Sequence, residues 1–182
     1  MRIILPHESR SVGKNLNNAN NSTIMMLEID GWKVGIRFSA AHIIPGHHKC
    51  SRLHGHDYGV KVRIYGDTDN PMLMDFVEIK KELRNICDEM DHHIIIPQSQ
   101  AYIKSVMKGE QIQVVVNGKK YFFPRDDVIV IDVQMATAEE LARYMARRLV
   151  NKVKFPPEVK GFEVCVEEGP GQGACHYTPV GD

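Results

Sequence analysis

The sequence predicts an α+β fold built on an antiparallel sheet. Its strand-like segments follow one another through hairpin-type turns, and its two helical segments are set apart instead of alternating strictly with strands. A chain of 182 residues, 43% apolar and 25% charged, is long enough for one soluble globular domain with a substantial core. We therefore expect a single domain over residues 1–182.

The first strands lie after an Asn-rich stretch at residues 9–22, which we interpret as a loop. The segments TIMMLEID and WKVGIRFSAAH flank a hairpin-like Asp30-Gly31 pair. A third strand is predicted at residues 56–66. An alternation of period two places His54 and His56, at the head of that strand, on the same face as its apolar residues.

Two helices are predicted from apolar residues at helical spacing and from their first residues. DFVEIKKELRNICDEM begins with Asp75 and Glu78, and TAEELARYMARRLV begins with Thr137 and Glu140, both typical of capping boxes. Between them, QIQVVVNGKKYFFP indicates a hairpin about Asn117-Gly118, and DVIVIDV a further strand. The segment GFEVCVEEGPGQGACHY predicts two short strands around a glycine-rich turn.

Charge and composition exclude several classes of function. The 23 basic and 23 acidic side chains give a formal net charge of zero, without the basic excess of proteins that bind nucleic acid or membrane surfaces. The apolar run before Pro6, residues 3–5, is too short for a signal peptide or a membrane span, so we expect a cytoplasmic protein. In that compartment its four cysteines are expected to be thiols rather than a disulfide framework.

Three histidines at strand ends form a candidate metal site. His42 ends one apolar strand face, and His54 and His56 begin another, with one short loop between. Three neutral imidazoles with a fourth position open are what a catalytic zinc requires. Cys50, on the connecting loop, would instead make the site structural if it were the fourth ligand, and the sequence leaves both readings open.

A second constellation is Asp91-His92, directly after the first long helix. A carboxylate can orient an imidazole that activates a thiol, here Cys50. As an isolated pair, these two residues are better explained as a polar helix end, unless an independent observation brings them near Cys50.

In order along the chain, the motifs FSAAH, CSRLHGH, LMDFVEIK, MDHH, TAEELA and VCVEEG resemble those of the 6-pyruvoyl tetrahydropterin synthase and 6-carboxytetrahydropterin synthase family. The resemblance covers residues 33–97 and 136–177. It implies a tunnelling fold, in which a four-stranded antiparallel sheet carries two helices on one face. It also implies assembly into a homo-oligomer, a trimer or a hexamer, with active sites between subunits.

The resemblance also implies roles for the candidate residues. Zinc would be held by His42, His54 and His56; the catalytic residues would be Cys50, Asp91 and His92; and Glu168 would anchor the pterin. The three residues between Cys50 and His54 are typical of the carboxytetrahydropterin type, so the expected reaction converts 7,8-dihydroneopterin triphosphate to 6-carboxy-5,6,7,8-tetrahydropterin. That reaction releases triphosphate and acetaldehyde on the route to 7-deazaguanine tRNA bases.

Three further expectations concern regions outside these motifs. Residues 1–30 are an N-terminal extension, and residues 98–135 are a hairpin insertion that we expect to form an oligomer surface or pocket rim. Lys49, Arg52 and Lys61 are candidates for phosphate contact. The alternatives are a 6-pyruvoyl tetrahydropterin synthase, which eliminates triphosphate, and a non-catalytic zinc-binding protein.

Overall fold

The computed structural model describes residues 24–181, so the Asn-rich loop and most of the predicted extension lie outside the described residues. The strands are β1 Met25–Asp30, β2 Arg37–His42, β3 His54–Gly66, β4 His93–Pro97, β5 Lys104–Lys108, β6 Gln111–Val116, β7 Lys119–Pro124, β8 Val128–Ile131, β9 Val159–Glu167 and β10 Gly173–Pro179. The helices are α1 Gly31–Val34, α2 Phe76–Met90 and α3 Ala138–Lys152.

In the part of the chain that the structure describes, the main sheet is mixed and has seven strands, where four antiparallel strands were expected. Its order is β10-β9-β3-β2-β4-β8, and β1 pairs with the far half of β3. The pairs β2–β4 and β4–β8 are parallel, and the others are antiparallel. Both parallel pairs join strands that are separated by long connections, as parallel pairing requires: β3 and α2 lie between β2 and β4, and β5 to β7 lie between β4 and β8.

Helices α2 and α3 pack on one face of this sheet, as predicted. Asp75 caps α2 by accepting a hydrogen bond from the backbone N–H of Val77, and Thr137 caps α3 through the N–H of Glu140. The stripes facing the sheet are fully buried: Ile79, Leu83 and Ile86 from α2, and Leu141, Met145 and Leu149 from α3. These side chains and the apolar faces of β2, β3 and β9 form the main core.

The prediction of a hairpin at Asp30-Gly31 is wrong. Asp30 caps α1, a single helical turn, by accepting a hydrogen bond from the Trp32 N–H. This turn carries the chain from β1 to β2, which both pair with β3 and not with each other. Gly31 is required here because a Cβ atom would lie 2.1 Å from the carbonyl oxygen of Val60.

The segment 98–135 is larger than a hairpin. Strands β5, β6 and β7 form a separate antiparallel sheet, with the predicted turn at Asn117-Gly118 between β6 and β7, and the chain then returns through β8 to the main sheet. Adjacent β4 residues show where this second sheet packs. Ile95 belongs to the main core, whereas Ile96 belongs to a second buried cluster with residues of the insertion. Because successive strand residues face opposite sides, the insertion covers the sheet face opposite the helices.

The expectation that all four cysteines are free thiols is wrong for two of them. Cys165 and Cys175 are direct partners in the β9–β10 ladder, and they form a disulfide. Cys50 and Cys87 are free, and Cys87 is buried in the main core. The sequence did not reveal the pair because β-ladder register brings the two thiols together across the predicted glycine-rich turn.

Candidate metal centre and active site

The three predicted histidines converge at one end of the main core. His42 and His54 are opposite each other in the β2–β3 ladder, and His56 follows on the same face of β3. One ring nitrogen of each histidine lies within 4.8 Å of the other two. This is the geometry that the shared strand face predicts.

Backbone carbonyls fix the tautomer of two of these rings. The Nδ1–H of His42 donates to the carbonyl oxygen of Ala136 at 2.6 Å, and the Nδ1–H of His54 donates to that of Arg52 at 2.7 Å. Since a carbonyl only accepts, and a neutral imidazole carries one N–H, each Nε2 presents a lone pair. Hydrogen bonds of this kind orient metal-ligating histidines in proteins.

The resulting arrangement fits a metal ion. The Nε2 atoms of His42 and His54 are 3.1 Å apart with no hydrogen available to lie between them, and the Nε2 of His56 is buried without a hydrogen-bond partner. Tetrahedral zinc with Zn–N bonds of about 2.05 Å would set such nitrogens about 3.3 Å apart. A cation between the rings would turn mutual repulsion of lone pairs into coordination.

Burial keeps His42 neutral. It is 1% exposed, and this burial lowers its pKa to about 4. The hydrogen bond to Ala136 opposes the shift, whereas the neighbouring His54 and His56 add to it. His42 is therefore in the protonation state of a metal ligand throughout the physiological range.

Glu168 lies against the histidines but outside their set. It follows the end of β9, and its carboxylate oxygens are 4.0 Å from the Nε2 of His42 and 3.9 Å from that of His56. Glu167, one residue earlier, points to the opposite face, where it accepts a hydrogen bond from the Trp32 indole and pairs with Lys61. The candidate phosphate contact Lys61 is therefore on the face of β3 opposite the histidines.

Cys50 shares a cavity with Glu168. This cavity has a volume of about 230 Å³, and it is also lined by Ile44, His47 and the first residues of α3. The backbone N–H of Cys50 donates to the Nδ1 of His47 at 3.0 Å, and the loop carrying Cys50 also exposes Lys49 and Arg52. The thiol is not one of the three grouped metal-ligand atoms.

Asp91 and His92 are hydrogen-bonded to each other. They do not line the cavity that contains Cys50 but a second cavity of about 320 Å³, together with Ser39 and Asp57. Asp91 accepts hydrogen bonds from the Ser39 N–H and from the Nδ1–H of His92, each at 2.7 Å. Burial alone would raise the pKa of Asp91, but these hydrogen bonds bring it below the usual value. Because the Nδ1–H of His92 donates to Asp91, the Nε2 of this tautomer carries the lone pair, and the ring is 84% exposed.

Within residues 24–181, no hydrogen bond or ion pair joins Cys50 to either member of this pair. The backbone of His92 is in the left-handed region, at φ 58°, where its N–H donates to the Ser39 carbonyl. A non-glycine residue in this conformation has to be held by its surroundings.

Sequence reasoning missed the groups that orient these side chains. The backbone carbonyls of Ala136 and Arg52 have no signature in the sequence, because every residue has a backbone carbonyl. The sequence indicated Ser39 only as a residue of a predicted strand, and gave no sign that its N–H would contact Asp91. His47 lies three residues before Cys50 in a Gly-containing loop, and this short spacing could have predicted its contact with Cys50.

No helix among residues 24–181 is both long enough and apolar enough to cross a membrane.

Comparison with known proteins gives a consistent result. The model of the 6-pyruvoyl tetrahydropterin synthase family matches residues 32–179. The chain is 38% identical over 156 residues to a putative 6-carboxy-5,6,7,8-tetrahydropterin synthase of Methanocaldococcus jannaschii, covering 84% of this chain and 96% of the relative. It is 33% identical over 122 residues to the 6-carboxy-5,6,7,8-tetrahydropterin synthase of Haemophilus influenzae, covering 62% and 76%.

Among solved structures, the 6-pyruvoyl tetrahydropterin synthase of Plasmodium vivax superposes with a TM-score of 0.78 at 26% identity, over 87% of this chain and 99% of that one. The family model thus spans the main sheet from α1 to β10, including every histidine of the candidate metal centre. The chain belongs to the 6-pyruvoyl tetrahydropterin synthase family.

Proposed function

We propose that the protein is a zinc-dependent pterin synthase that converts 7,8-dihydroneopterin triphosphate to 6-carboxy-5,6,7,8-tetrahydropterin. The observation that carries this proposal is the set of three imidazole lone pairs on His42, His54 and His56, beside a cavity that contains a thiol and a carboxylate. Relatives named as 6-carboxy-5,6,7,8-tetrahydropterin synthases support the product.

Zinc is the metal that suits this donor set. Three neutral imidazoles leave a coordination position open, which is typical of catalytic zinc and not of closed structural sites. When bound, zinc would polarise the side-chain oxygens of the substrate. The remaining chemistry is assigned to residues of the chain.

Cys50 is the proposed acid–base group, because it is free and lines the cavity beside the histidines. It would move protons on the carbon side chain of the substrate. Glu168 is the proposed pterin anchor, because one carboxylate can accept hydrogen bonds from adjacent amino and ring N–H groups in a bidentate pair. Its position 3.9 to 4.0 Å from two of the histidines would hold the pterin next to the metal.

Asp91 and His92 take part in this proposal through a second copy of the chain. Since they line a different cavity from Cys50, one chain does not assemble the expected set of three catalytic residues. Among residues 24–181, strand β10 lies at an edge of the main sheet and has β9 as its one neighbour, and an edge strand of this kind can pair with another chain. We therefore propose a homo-oligomer with active sites between subunits.

Two alternative functions differ from this proposal in specific features. A 6-pyruvoyl tetrahydropterin synthase would eliminate triphosphate without releasing acetaldehyde, and the family match alone is compatible with it. A non-catalytic zinc protein would use Cys50 as a permanent ligand, but this thiol is outside the grouped ligand atoms.

The product of the reaction tests the function. We expect the zinc-loaded protein, incubated with 7,8-dihydroneopterin triphosphate, to give 6-carboxy-5,6,7,8-tetrahydropterin and acetaldehyde, identified by mass spectrometry and by an aldehyde assay. A pyruvoyl product without acetaldehyde would establish the first alternative. Unchanged substrate would contradict both enzymatic readings.

Replacement of His54 tests the metal centre. His54→Ala removes one of three ligands, so we expect the purified variant to lose zinc or bind it far more weakly, as measured by elemental analysis. His48→Ala is the matched control, because His48 is exposed on the adjoining loop and outside the ligand set. Stoichiometric zinc in His54→Ala would rule out the assignment.

Replacement of Cys50 separates a chemical role from a structural one. Cys50→Ala should keep zinc and fold, while kcat falls by about 10² or more, as expected for loss of a positioned acid–base group. Ser51→Ala, one residue along the same loop, should retain activity. If Cys50→Ala loses both zinc and fold, the thiol is structural.

Replacement of Glu168 tests pterin recognition. Glu168→Gln sets an NH₂ donor against a donor of the pterin, so binding should weaken by about 2 kcal/mol in titration calorimetry. Glu167→Gln makes the same change on the opposite face of the strand, and pterin affinity should be retained. Equal affinities in Glu168→Gln and the parent would exclude Glu168 from the site, and zinc content should not change in either variant.

A further inference from the structure

The loop that carries Cys50 has a single buried anchor. Residues 43–53 connect β2 to β3, and Ile43 is the only one of them that is buried, at 0% exposure. Residues 46–49 at the loop tip are exposed. The position of the loop relative to the sheet therefore depends on what surrounds the side chain of Ile43.

Ile43 is buried in the second cluster and not in the main core. His42 faces the helices, so Ile43, the next residue, faces the opposite side of the sheet, where the insertion packs. The other buried members of this cluster are Ile96 of β4 and four residues of the insertion: Ile103, Ile112, Val114 and Val116. The insertion thus provides most of the apolar socket that holds the loop.

A short chain of backbone contacts connects this anchor to the thiol. The N–H of Ile44, which follows Ile43, donates to the carbonyl oxygen of Cys50 at 2.8 Å. The loop is closed further by the hydrogen bond from the Cys50 N–H to His47. Ile44 and Cys50 both line the cavity that contains Glu168. A displacement of Ile43 would therefore also move Cys50, because the hydrogen bond from the neighbouring Ile44 joins the two parts of the loop.

We propose that the insertion is a positioning element for the Cys50 thiol, with Ile43 as the residue through which it acts. This inference rests on the proposed function and assigns the insertion a part in it. It differs from the expectation that residues 98–135 form an oligomer surface or a pocket rim instead of contributing to the catalytic centre. The zinc ligands are less dependent on the insertion, because His42, His54 and His56 lie on strands that are paired in the main sheet.

Two neighbouring valines provide a matched test. Val114 is fully buried in the second cluster, whereas Val115, the next residue of β6, lies on the outer face of the insertion and is only half-buried. Val114→Ala and Val115→Ala therefore remove the same two methyl groups from opposite faces of one strand. Only the first loosens the socket of Ile43.

Alkylation by iodoacetamide reports on the loop without any substrate. Cys50 is the single accessible thiol, because Cys165 and Cys175 are joined in a disulfide and Cys87 is buried, which raises the pKa of the Cys87 thiol to about 12. We expect the rate of Cys50 alkylation, followed by mass spectrometry on the zinc-loaded protein, to rise several-fold in Val114→Ala. It should stay at the parent value in Val115→Ala.

Steady-state kinetics should report the same displacement of Cys50. A misplacement of about 1 Å can cost about 10² in rate, so kcat should fall by roughly tenfold or more in Val114→Ala. KM should change little, since Glu168 is held by β9 and not by the insertion. Equal alkylation rates and equal kcat values in the two variants would overturn the proposal, and so would loss of zinc in Val114→Ala, because the whole site would then have loosened.

Substitutions of Ile43 itself keep the proposal testable if Val114→Ala does not fold. Ile43→Val removes one methylene and should retain most of the parent alkylation rate, whereas Ile43→Ala should raise it. A parent-like rate in folded Ile43→Ala would contradict the proposal. If the parent fails to turn over dihydroneopterin triphosphate, the proposed function fails, while the alkylation rates still decide whether the insertion positions the thiol.

Discussion

The antiparallel register of β2 and β3 is the constraint on which the candidate site depends. It sets His42 opposite His54, so that the loop between them must begin and end at the candidate metal centre. Because side chains alternate along a strand, a slip of one residue would send His54 and His56 to the opposite face. The buried apolar residues that follow on β3, from Tyr58 to Ile64, make such a slip costly.

The register alone does not orient the imidazoles, which are fixed by groups from other parts of the chain. The carbonyl of Ala136, just before α3, holds His42, and that of Arg52 holds His54. The contact with Ala136 couples the sheet to the helix layer at the candidate metal centre. Burial supplies the second condition, because it lowers the pKa of His42 and keeps the ring neutral. A preformed set of lone pairs results from packing as much as from the histidines themselves.

The two faces of the sheet contribute different residues around the candidate metal centre. The face toward the helices carries the main core and, at its end, the histidines and Glu168. The opposite face is covered at β4 and β8 by the insertion, whose buried cluster includes Ile43. Adjacent residues of one strand end, His42 and Ile43, therefore belong to different cores. The loop with Cys50 and the three histidines are therefore anchored in different cores.

The sequence by itself determined the local features: the helices with their caps, the turn at Asn117-Gly118, and the shared strand face of His54 and His56. Each depends on periodicity or turn chemistry within a few residues, which the order of amino acids records directly. Only the tertiary structure decided the parallel pairing of β4 and β8, the Cys165–Cys175 disulfide and the burial of Ile43 against the insertion. These depend on strand register and on contacts between distant segments, for which local patterns carry no information.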